Sequence, residues 1–409
     1  LRGECHVIGQ LNACNSLRLL RGGQVFFDEA RTALQSAWAR TSYEMAKLRD
    51  NPACVEQEFA AQADAGDPGL RYAPSFDINA DIAAPFIASG KRPRVMPMAI
   101  GHEAAGIVVE TGDGTSAFKA GDHVVLAFVP TCGECGFCMA GRPALCEPGA
   151  AANGAGTLLG GHLRLHDEGG EVIHHHLGVS AFSDHIVISE KSAVKVPDDL
   201  EYDIAALFGC AVLTGAGAVL NTAADALPAK SVAVFGLGGV GLAALLAAVS
   251  QGAETVVAVD RVPEKLELAL DLGATVAVNA GEVDAVEAVR EATGGGVDLA
   301  LETVGSEVVL AQAYEATGRG GMTVSAGLAH PDRKLSISAL SLVAEERTLK
   351  GSYLGSCIPS RDIPRFIEMY RQGVLPVDRL LSHRLTPDEI NEGFDRLASG
   401  EAVRQVVIY

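Results

Sequence analysis

Residues 231–260 read SVAVFGLGGVGLAALLAAVSQGAETVVAVD. The β-branched run 232–235 predicts a strand, and the apolar, Ala-rich pattern after the glycines predicts a helix that ends near Gly252. A second strand pattern, 256–259, ends at Asp260, nineteen residues after the last glycine of the motif. This order of strand, glycine turn, helix and strand is typical of one βαβ unit in a doubly wound parallel sheet.

The glycine turn in this unit has the spacing of a dinucleotide site. Gly236 would allow the tight turn, Gly238 would let a pyrophosphate approach the backbone, and Gly241 would let the helix pack closely on the strand. Free N–H groups at the helix N-terminus would bind the phosphates. The carboxylate of Asp260 would bind the ribose hydroxyls and repel a 2′-phosphate, which favours NAD, whereas the adjacent Arg261 leaves NADP as an alternative. The cofactor-binding residues predicted here are Gly236, Gly238, Gly239, Val240, Gly241, Asp260 and Arg261.

The composition predicts a globular protein of two or three domains. The chain has 409 residues, of which 48% are hydrophobic and 46 are glycine, so it can bury substantial cores. A formal net charge of −19, with no basic cluster longer than 91–94, argues against nucleic acid as a partner. The longest strongly apolar stretch, 240–249, is too short to span a bilayer. We therefore expect neither nucleic acid as a partner nor a membrane span.

The cysteine content indicates the compartment. Four of the nine cysteines have metal-ligand spacing, which fits a reducing cytoplasm better than a disulfide framework. Apart from Cys210, the remaining thiols, Cys5, Cys14, Cys54 and Cys357, are expected to be free. The first residues, from Leu1, do not resemble a secretory signal, and the start is expected to be that of a fragment.

Changes in pattern divide the chain into four parts. Residues 1–94 are expected to form an α+β segment with a helix near 32–51. Residues 95–211 contain short strand patterns separated by turns, which suggest a small β-barrel domain, with a flexible loop at 148–156. Residues 212–353 alternate strands and helices, as a doubly wound sheet requires. Residues 354–409 end in a strand pattern and are expected to return to the barrel. After Asp260 the predicted helices are 265–272, 283–292 and 308–316, and the predicted strands are 276–278, 297–301 and 322–326.

A four-cysteine segment predicts a structural zinc site. Its thiols lie within fifteen residues, among glycines that let the backbone wrap around a metal. Four soft sulfur ligands in one lobe match closed tetrahedral zinc, with no position left for substrate. The alternative is a set of free or disulfide-bonded cysteines. The predicted ligands are Cys132, Cys135, Cys138 and Cys146.

A second possible metal site combines Gly101-His102-Glu103 with Gly209-Cys210. Imidazole and thiolate are zinc ligands, and a catalytic zinc has three protein ligands and one open position. On spacing alone this pair means little, because a lone histidine or cysteine is more often an ordinary core residue. The triplet His174, His175 and His176 is expected to be structural or surface-exposed, since consecutive strand residues point to opposite faces.

Several segments appear in an order that resembles one family. They are GHEAAGIVVETG (101–112), AGDHV (120–124), the four-cysteine segment, GCAVLTGAGAV (209–219), VFGLGGVG (234–241) and VRQVVIY (403–409). Residues from about 95 to 409 thereby resemble a zinc-containing medium-chain alcohol dehydrogenase. The resemblance implies a GroES-like barrel that carries the zinc lobe, together with a Rossmann domain that binds NAD.

The same resemblance implies roles for individual residues. His102, Cys210 and perhaps Glu103 would hold a catalytic zinc, Thr214 would face the nicotinamide, and Arg404 would pair with the cofactor pyrophosphate. In that family the zinc stabilises negative charge on the substrate oxygen while hydride passes to the nicotinamide. The implied activity is NAD-dependent oxidation of an alcohol or reduction of an aldehyde, in a homo-oligomer.

The N-terminal part departs from this family. The family's first zinc cysteine would fall at Asp81, and the next three residues, 82–84, have no hydroxyl group. Three segments there, CHVIGQ (5–10), WARTSYEMAKLRDNPAC (38–54) and 67–95, instead resemble the end of the synthetase region of phosphoribosylformylglycinamidine synthase. They include none of that enzyme's nucleotide-binding glycines. The open alternatives are a chimera that binds NAD and structural zinc without turnover, and a purine-biosynthesis fragment fusion.

Overall fold

The computed structural model describes residues 16–21, 24–49, 56, 59–60 and 95–409. The chain separates into two units, 1–80 and 81–409. Asp81, Cys5, Cys14 and Cys54 lie outside the described residues, as does most of the segment that resembles the purine-biosynthesis enzyme.

The described part of the first unit is a hairpin followed by a helix. Strands β1 (Ser16–Arg21) and β2 (Gln24–Ala30) pair antiparallel, and Arg18 and Asp28 form an ion pair of 2.7 Å across them. Helix α1 (Arg31–Arg49) follows directly and corresponds to the helix predicted near 32–51.

The second unit begins with short strands in two small sheets. One sheet has the order β4-β5-β8 and is antiparallel, and the other has the order β3-β7-β6. The pattern of 95–211 predicted short strands separated by turns, and these sheets consist of such strands. The strands are β3 (Met98–Ala99), β4 (Ala104–Ile107), β5 (His123–Leu126), β6 (Leu165–His166), β7 (Val172–His175) and β8 (Ala193–Lys195). The helices of this part are α2 (Gly136–Met139), α3 (Glu147–Ala155), α4 (Tyr202–Ala206) and α5 (Ala211–Gly217), followed by a π-helical turn (Ala218–Thr222).

Helix α3 corrects the loop predicted for 148–156. The glycines and the single proline of PGAAANGAG predict a loop, yet most of this segment is helical. Proline is accepted in the first turn, the Sγ of Cys146 accepts a hydrogen bond from the N–H of Gly149, and Gly156 ends the helix with φ 68°. The signals interpreted as breakers are the two ends of a helix whose interior is rich in alanine.

A six-stranded parallel sheet forms the centre of the second unit. The strands lie in the order β11-β10-β9-β12-β13-β14, and each neighbouring pair is parallel. They are β9 (Ser231–Phe235), β10 (Thr255–Asp260), β11 (Val276–Asn279), β12 (Val297–Glu302), β13 (Thr317–Ser325) and β14 (Thr348–Gly351). The sheet reverses its direction of winding between β9 and β12, which is where this topology places a ligand crevice.

Helices connect these strands and bury the sheet on both faces. They are α6 (Gly239–Ser250), α7 (Pro263–Asp271), α8 (Ala285–Ala292), α9 (Glu307–Ala316) and α10 (Ala339–Ala344). Leu242, Leu245 and Leu246 of α6 are buried against one face, while Val257 and Val289 belong to a second core on the other. The alternation predicted for 212–353 is therefore confirmed, and α6 is apolar all round because it is almost fully buried.

The C-terminal part contacts residues of the 95–211 part. Helices α11 (Pro359–Arg371) and α12 (Ile390–Ser399) alternate with strands β15 (Leu381–Leu385) and β16 (Arg404–Val407), which pair parallel. The ring of Phe394 lies 6.1 Å from that of Phe182, and Arg384 pairs with Asp203 at 2.5 Å. Cys357 is buried and free, as predicted.

Candidate functional site

The glycine turn lies at the carboxyl end of β9. Gly236 has φ 93°, which only glycine adopts without strain, and a Cβ there would meet the side chain of Val304 at 2.5 Å. Thr303, just after β12, donates hydrogen bonds from its hydroxyl to the carbonyls of Phe235 at 3.1 Å and Gly236 at 2.8 Å. The turn is therefore held between the ends of two adjacent parallel strands.

The other glycines of the motif test whether a dinucleotide fits. A Cβ on Gly241 would collide with the carbonyl of Gly236, so the start of α6 packs as closely on the turn as predicted. A Cβ on Gly238 would meet nothing within 4 Å, which leaves the backbone open on the side where a pyrophosphate would lie. Gly239 lies against the side chain of Arg404. Val240 follows in the first turn of α6. An open backbone, a helix N-terminus and a guanidinium together fit a pyrophosphate.

Asp260 is anchored at the end of β10 and reaches the glycine turn. One carboxylate oxygen accepts a hydrogen bond from the N–H of Leu237 at 2.6 Å, and the other accepts from Arg261 at 2.7 Å and Val262 at 3.1 Å. The backbone therefore fixes the carboxylate beside the open face of the turn. This is where an acidic group can bind ribose hydroxyls, with Arg261 as its neighbour.

Sequence reasoning missed Glu302, which organises the same crevice. This glutamate ends β12 and is only 1% exposed. Its Oε1 accepts hydrogen bonds from the N–H groups of Val304 at 2.8 Å and Gly305 at 2.6 Å, and its Oε2 accepts one from the hydroxyl of Ser325 at 2.8 Å. A charged residue at the end of a mainly apolar strand, just before a Gly/Ser loop, was the available signal.

The second predicted metal site comes together around the loop before β4. The ligand atoms of His102, Glu103 and Cys210 lie within 4.8 Å of one another, although the two segments are over a hundred residues apart. Gly101 brings this loop close to another backbone segment: it has φ 97°, and a Cβ on it would meet the N of Phe182 at 2.7 Å. Only the folded chain makes one cluster of these groups.

Glu103 uses both carboxylate oxygens within the protein. Its Oε1 accepts hydrogen bonds from the N–H groups of Cys210 at 3.2 Å and Ala211 at 2.9 Å. Its Oε2 pairs with the guanidinium of Arg404. Arg404 also lies against the glycine turn. One ion pair therefore connects the cluster of His102, Glu103 and Cys210, here called the metal-type cluster, with the predicted pyrophosphate site.

Burial controls the ionisation of the cluster. It lowers the pKa of His102 to about 4, with the neighbouring His176 and Arg404 acting in the same direction. It raises the pKa of the Cys210 thiol to about 12 and lowers that of Arg404 to about 10. His102 is therefore neutral at physiological pH, as a metal ligand must be, while Cys210 needs a bound cation to lose its proton. An imidazole nitrogen and a thiol in this environment fit zinc.

Two more side chains border this cluster. Thr214, predicted to face a nicotinamide, is buried one helical turn after Cys210, and its N–H donates to the Cys210 carbonyl at 2.8 Å. The ring of His176 lies 5.6 Å from that of His102 and nearly perpendicular to it. Within the described part of the chain, the buried Nδ1 of His176 has no hydrogen-bond partner. Sequence reasoning did not place His176 beside His102, and its expected structural or surface role stays a prediction.

The four-cysteine lobe forms a separate and tighter site. The sulfur atoms of Cys132, Cys135, Cys138 and Cys146 lie within 4.8 Å of one another. Backbone N–H groups donate hydrogen bonds to the sulfurs. The N–H of Cys135 donates to Cys132 Sγ at 3.3 Å, and the N–H of Cys132 donates to Cys146 Sγ at 3.3 Å. The backbone N–H of Cys138 lowers the pKa of Cys135 to about 6, whereas burial raises that of Cys138 to about 12. Four converging sulfurs that accept N–H bonds fit a tetrahedral zinc.

The described cysteines are all free, and in the same part of the chain no helix has the length and apolarity that crossing a membrane requires. Two family profiles match this chain. The profile described as zinc-binding dehydrogenase matches residues 239–372, and the alcohol dehydrogenase GroES-like domain matches residues 78–198. The second match begins upstream of the boundary expected near residue 95.

Individual proteins are similar over most of the second unit. The S-(hydroxymethyl)glutathione dehydrogenase of Escherichia coli O1:K1 is 36% identical over 328 residues, which are 79% of this chain and 88% of that protein. Among solved structures, the alcohol dehydrogenase zinc-binding domain protein from Burkholderia ambifaria has a TM-score of 0.74 and 37% identity, over 79% of this chain and 86% of that one. Benzyl alcohol dehydrogenase from Acinetobacter calcoaceticus has a TM-score of 0.72 and 33% identity, over 79% and 87%.

Proposed function

We propose, from the premise that this chain belongs to the zinc-binding alcohol dehydrogenase family, that it transfers hydride between an alcohol or aldehyde and NAD. The observation that carries this proposal is the ion pair of Glu103 with Arg404, because it places a metal-type cluster next to a dinucleotide turn. Hydride transfer requires the substrate and the cofactor to be held next to each other, and this ion pair joins the two binding sites.

In the proposed site His102 and Cys210 hold the catalytic zinc. Zinc supplies Lewis-acid polarisation of the substrate oxygen. The buried, neutral imidazole of His102 offers a lone pair without first losing a proton. Glu103 keeps Cys210 in place through the N–H groups of Cys210 and Ala211, so it acts as a positioning residue behind the ligands.

The remaining residues orient the cofactor. The open backbone at Gly238 and the guanidinium of Arg404 bind the pyrophosphate, while Asp260 binds the adenosine ribose and disfavours a 2′-phosphate. Thr214, one helical turn after Cys210, contacts the nicotinamide ring of the cofactor. Cys132, Cys135, Cys138 and Cys146 hold a second, structural zinc.

Turnover tests the proposal directly. The full-length, zinc-loaded protein should reduce NAD in the presence of ethanol, 1-hexanol or benzyl alcohol, measured as NADH absorbance. The substitution Cys210→Ser should lower kcat/KM at least about 100-fold, whereas Cys357→Ser, at a buried thiol outside both clusters, should keep most of the activity. Equal activity in the Cys210 variant would contradict the assigned role of this residue.

A second candidate is a chain that binds NAD and structural zinc but does not turn over. It is favoured because the third donor of the cluster, Glu103, already uses both oxygens for backbone N–H groups and Arg404. Elemental analysis of the folded protein separates the candidates. About two zinc ions per chain support the enzyme, while about one, lost on Cys135→Ala, supports the inactive form. If two are present, Asp81→Ala tests Asp81 as the substitute ligand.

We also propose that the protein is a cytoplasmic homo-oligomer. Within the described residues β14 is paired on one side only, at the edge of the sheet. The neighbouring helix α10 exposes Leu340 and Val343, which are 75% and 76% accessible. An open strand edge beside exposed apolar side chains is a typical association surface. The free thiols fit a reducing compartment, which cell fractionation would test.

The N-terminal segment is proposed to be a fragment that resembles phosphoribosylformylglycinamidine synthase, joined to the dehydrogenase near residues 90–96. Its support is the residue pattern of 5–10, 38–54 and 67–95. Sequencing the source DNA across these codons tests whether the junction is natural. A single continuous genomic reading frame would refute an assembly artefact, and an interruption there would establish one.

A further inference from the structure

Glu103 is the weakest donor of the metal-type cluster. One of its carboxylate oxygens accepts hydrogen bonds from two backbone N–H groups, and the other pairs with Arg404, so binding a metal would break these contacts. His102 and Cys210 supply only two of the three protein ligands that a catalytic zinc requires. A third ligand is therefore to be sought among the side chains that border the cluster.

The ring of His176 has the position expected of a second imidazole ligand. Its centroid lies 5.6 Å from that of His102, and the two ring planes are inclined at 86°. Imidazole nitrogens bind zinc at about 2.0–2.1 Å, so two imidazoles on one tetrahedral zinc have centroids about 5 Å apart. The observed spacing is close to this value. Because edge-to-face packing alone gives similar distances, the nitrogen atoms of the ring have to be considered as well.

The Nδ1 atom of His176 is buried and, among the described residues, has no hydrogen-bond partner. Buried polar atoms are nearly always paired, because leaving one unpaired costs about 1–3 kcal/mol. Packing against His102 does not require a nitrogen, since the apolar ring of Phe128 lies against the same imidazole at 5.6 Å. A metal ion would use the lone pair that packing leaves without a partner.

The turn that carries His176 holds its backbone in a strained conformation. Leu177 and Ser180 have φ values of 54° and 56°, in the left-handed region that side chains rarely adopt. The buried hydroxyl of Ser180 accepts a hydrogen bond from the N–H of His176 at 2.9 Å, and the N–H of Ser180 donates to the carbonyl of His176 at 3.2 Å. Strain of this kind is concentrated at sites where a side chain is held for function.

From these observations we propose that His176 is the third protein ligand of the catalytic zinc, beside His102 and Cys210. Two imidazoles and one thiolate leave the fourth position of a tetrahedral zinc to the substrate. With a single thiolate the ion also keeps positive charge, which strengthens its action as a Lewis acid. This ligand set needs none of residues 1–94. The inference rests on the proposed catalytic zinc.

Metal binding, rather than turnover, tests this ligand. The full-length protein should hold about two zinc ions per chain, measured by elemental analysis after dialysis against increasing chelator. His176→Phe keeps a ring against His102 but removes the donor atoms, and it should lower the affinity for one of the two ions at least about 100-fold. The matched control is His174→Phe, at a half-buried histidine of β7 that also has an unpaired Nδ1 within the described part of the chain. It should keep both ions.

Cobalt substitution identifies the donor atom itself. His176→Cys should restore binding of the second ion, because a thiolate is also a zinc ligand. In the Co²⁺-loaded protein this variant should show more thiolate-to-cobalt charge-transfer absorbance than the native chain. A histidine with a purely structural role would not give this additional absorbance when replaced by cysteine.

The outcomes separate this inference from the proposed function. Two tightly held ions in His176→Phe would overturn the inference and leave the proposed function to the activity assay. Loss of turnover with both ions still bound would also overturn it, because His176 would then act on the substrate. About one zinc in the native protein would refute the inference and the catalytic zinc together. If His176→Phe does not fold, the cobalt spectrum of His176→Cys decides, and no added thiolate absorbance refutes the inference.

Discussion

Glu103 and Arg404 form the contact on which most of the site depends. Their side chains are 11% and 26% exposed, so removing one charge leaves the other poorly solvated. We expect Glu103→Gln to lower the free energy of unfolding by about 2 kcal/mol. The double variant with Arg404→Gln should lose less than the sum of the single variants, which denaturant titration of all four proteins would measure. Strict additivity would contradict the coupling.

His102 gives the metal-free protein a defined pH dependence. Its pKa is about 4 in the folded state against an ordinary value of 6.5. Between these values the unfolded chain binds a proton that the folded chain does not, so the free energy of unfolding should fall as pH decreases from about 6.5 to about 4. Above pH 6.5 this residue contributes no slope.

Denaturant titrations in chelator at several pH values would measure this dependence. His102→Gln should reduce the slope, although the buried His175 and the half-buried His176, whose pKa values are also lowered, keep part of it. The matched control is His185→Gln, whose exposed side chain should leave the slope unchanged. An unaltered slope in His102→Gln would assign the pH dependence to other groups.

Asp260 should determine the choice of dinucleotide. Its carboxylate is fixed by Leu237, Arg261 and Val262, so it cannot turn away from a 2′-phosphate. We expect Asp260→Ser to raise the ratio of kcat/KM for NADP over NAD at least about tenfold. Asp271→Ser, at an exposed acid of α7, is the control for net charge. No change in the ratio would assign selectivity to another group.

The zinc lobe is too short to be stabilised by a hydrophobic core of its own. It consists of α2, a 3₁₀ turn (Pro143–Leu145) and the start of α3, joined through four sulfurs. Cys135→Ala should therefore release about one zinc per chain and lower the thermal midpoint, measured by elemental analysis and calorimetry. Cys357→Ala, also at a free cysteine, should keep the zinc content. Retained zinc with normal stability in Cys135→Ala would contradict a structural role.

The bounds of strands and helices with a clear hydrophobic periodicity could be predicted closely. The bounds of elements that depend on capping or on strand pairing could not. Strands β9 to β12 and helices α6 to α9 begin or end within about three residues of the sequence prediction. Helix α3 was missed because its proline and glycines resemble a loop when the Cys146 cap is unknown. Strand β13 starts at Thr317, five residues before the prediction, because Thr317 pairs with Val297 of β12 ahead of a register shift. This pairing extends the strand over a Gly-rich segment with little strand preference of its own.

At the scale of the whole molecule, the free edge of the sheet should determine the oligomeric state. We expect the full chain to be at least a dimer in multi-angle light scattering at micromolar concentration. Val343→Glu, on the exposed face of α10, should shift it toward the monomer because it places charge in an apolar interface. Val283→Glu, an exposed valine elsewhere, should leave the state unchanged. A monomeric native chain would refute the homo-oligomer.

The sequence by itself determined those sites whose residues lie close together along the chain. The glycine turn with Asp260 and the four cysteines within fifteen residues are such patterns, because neighbouring residues must form those sites together. Only the tertiary structure decided which distant groups meet: His102 with Cys210 and His176, and Glu103 with Arg404. These contacts depend on how the strands and loops pack, and a one-dimensional pattern carries no distance between residues so far apart.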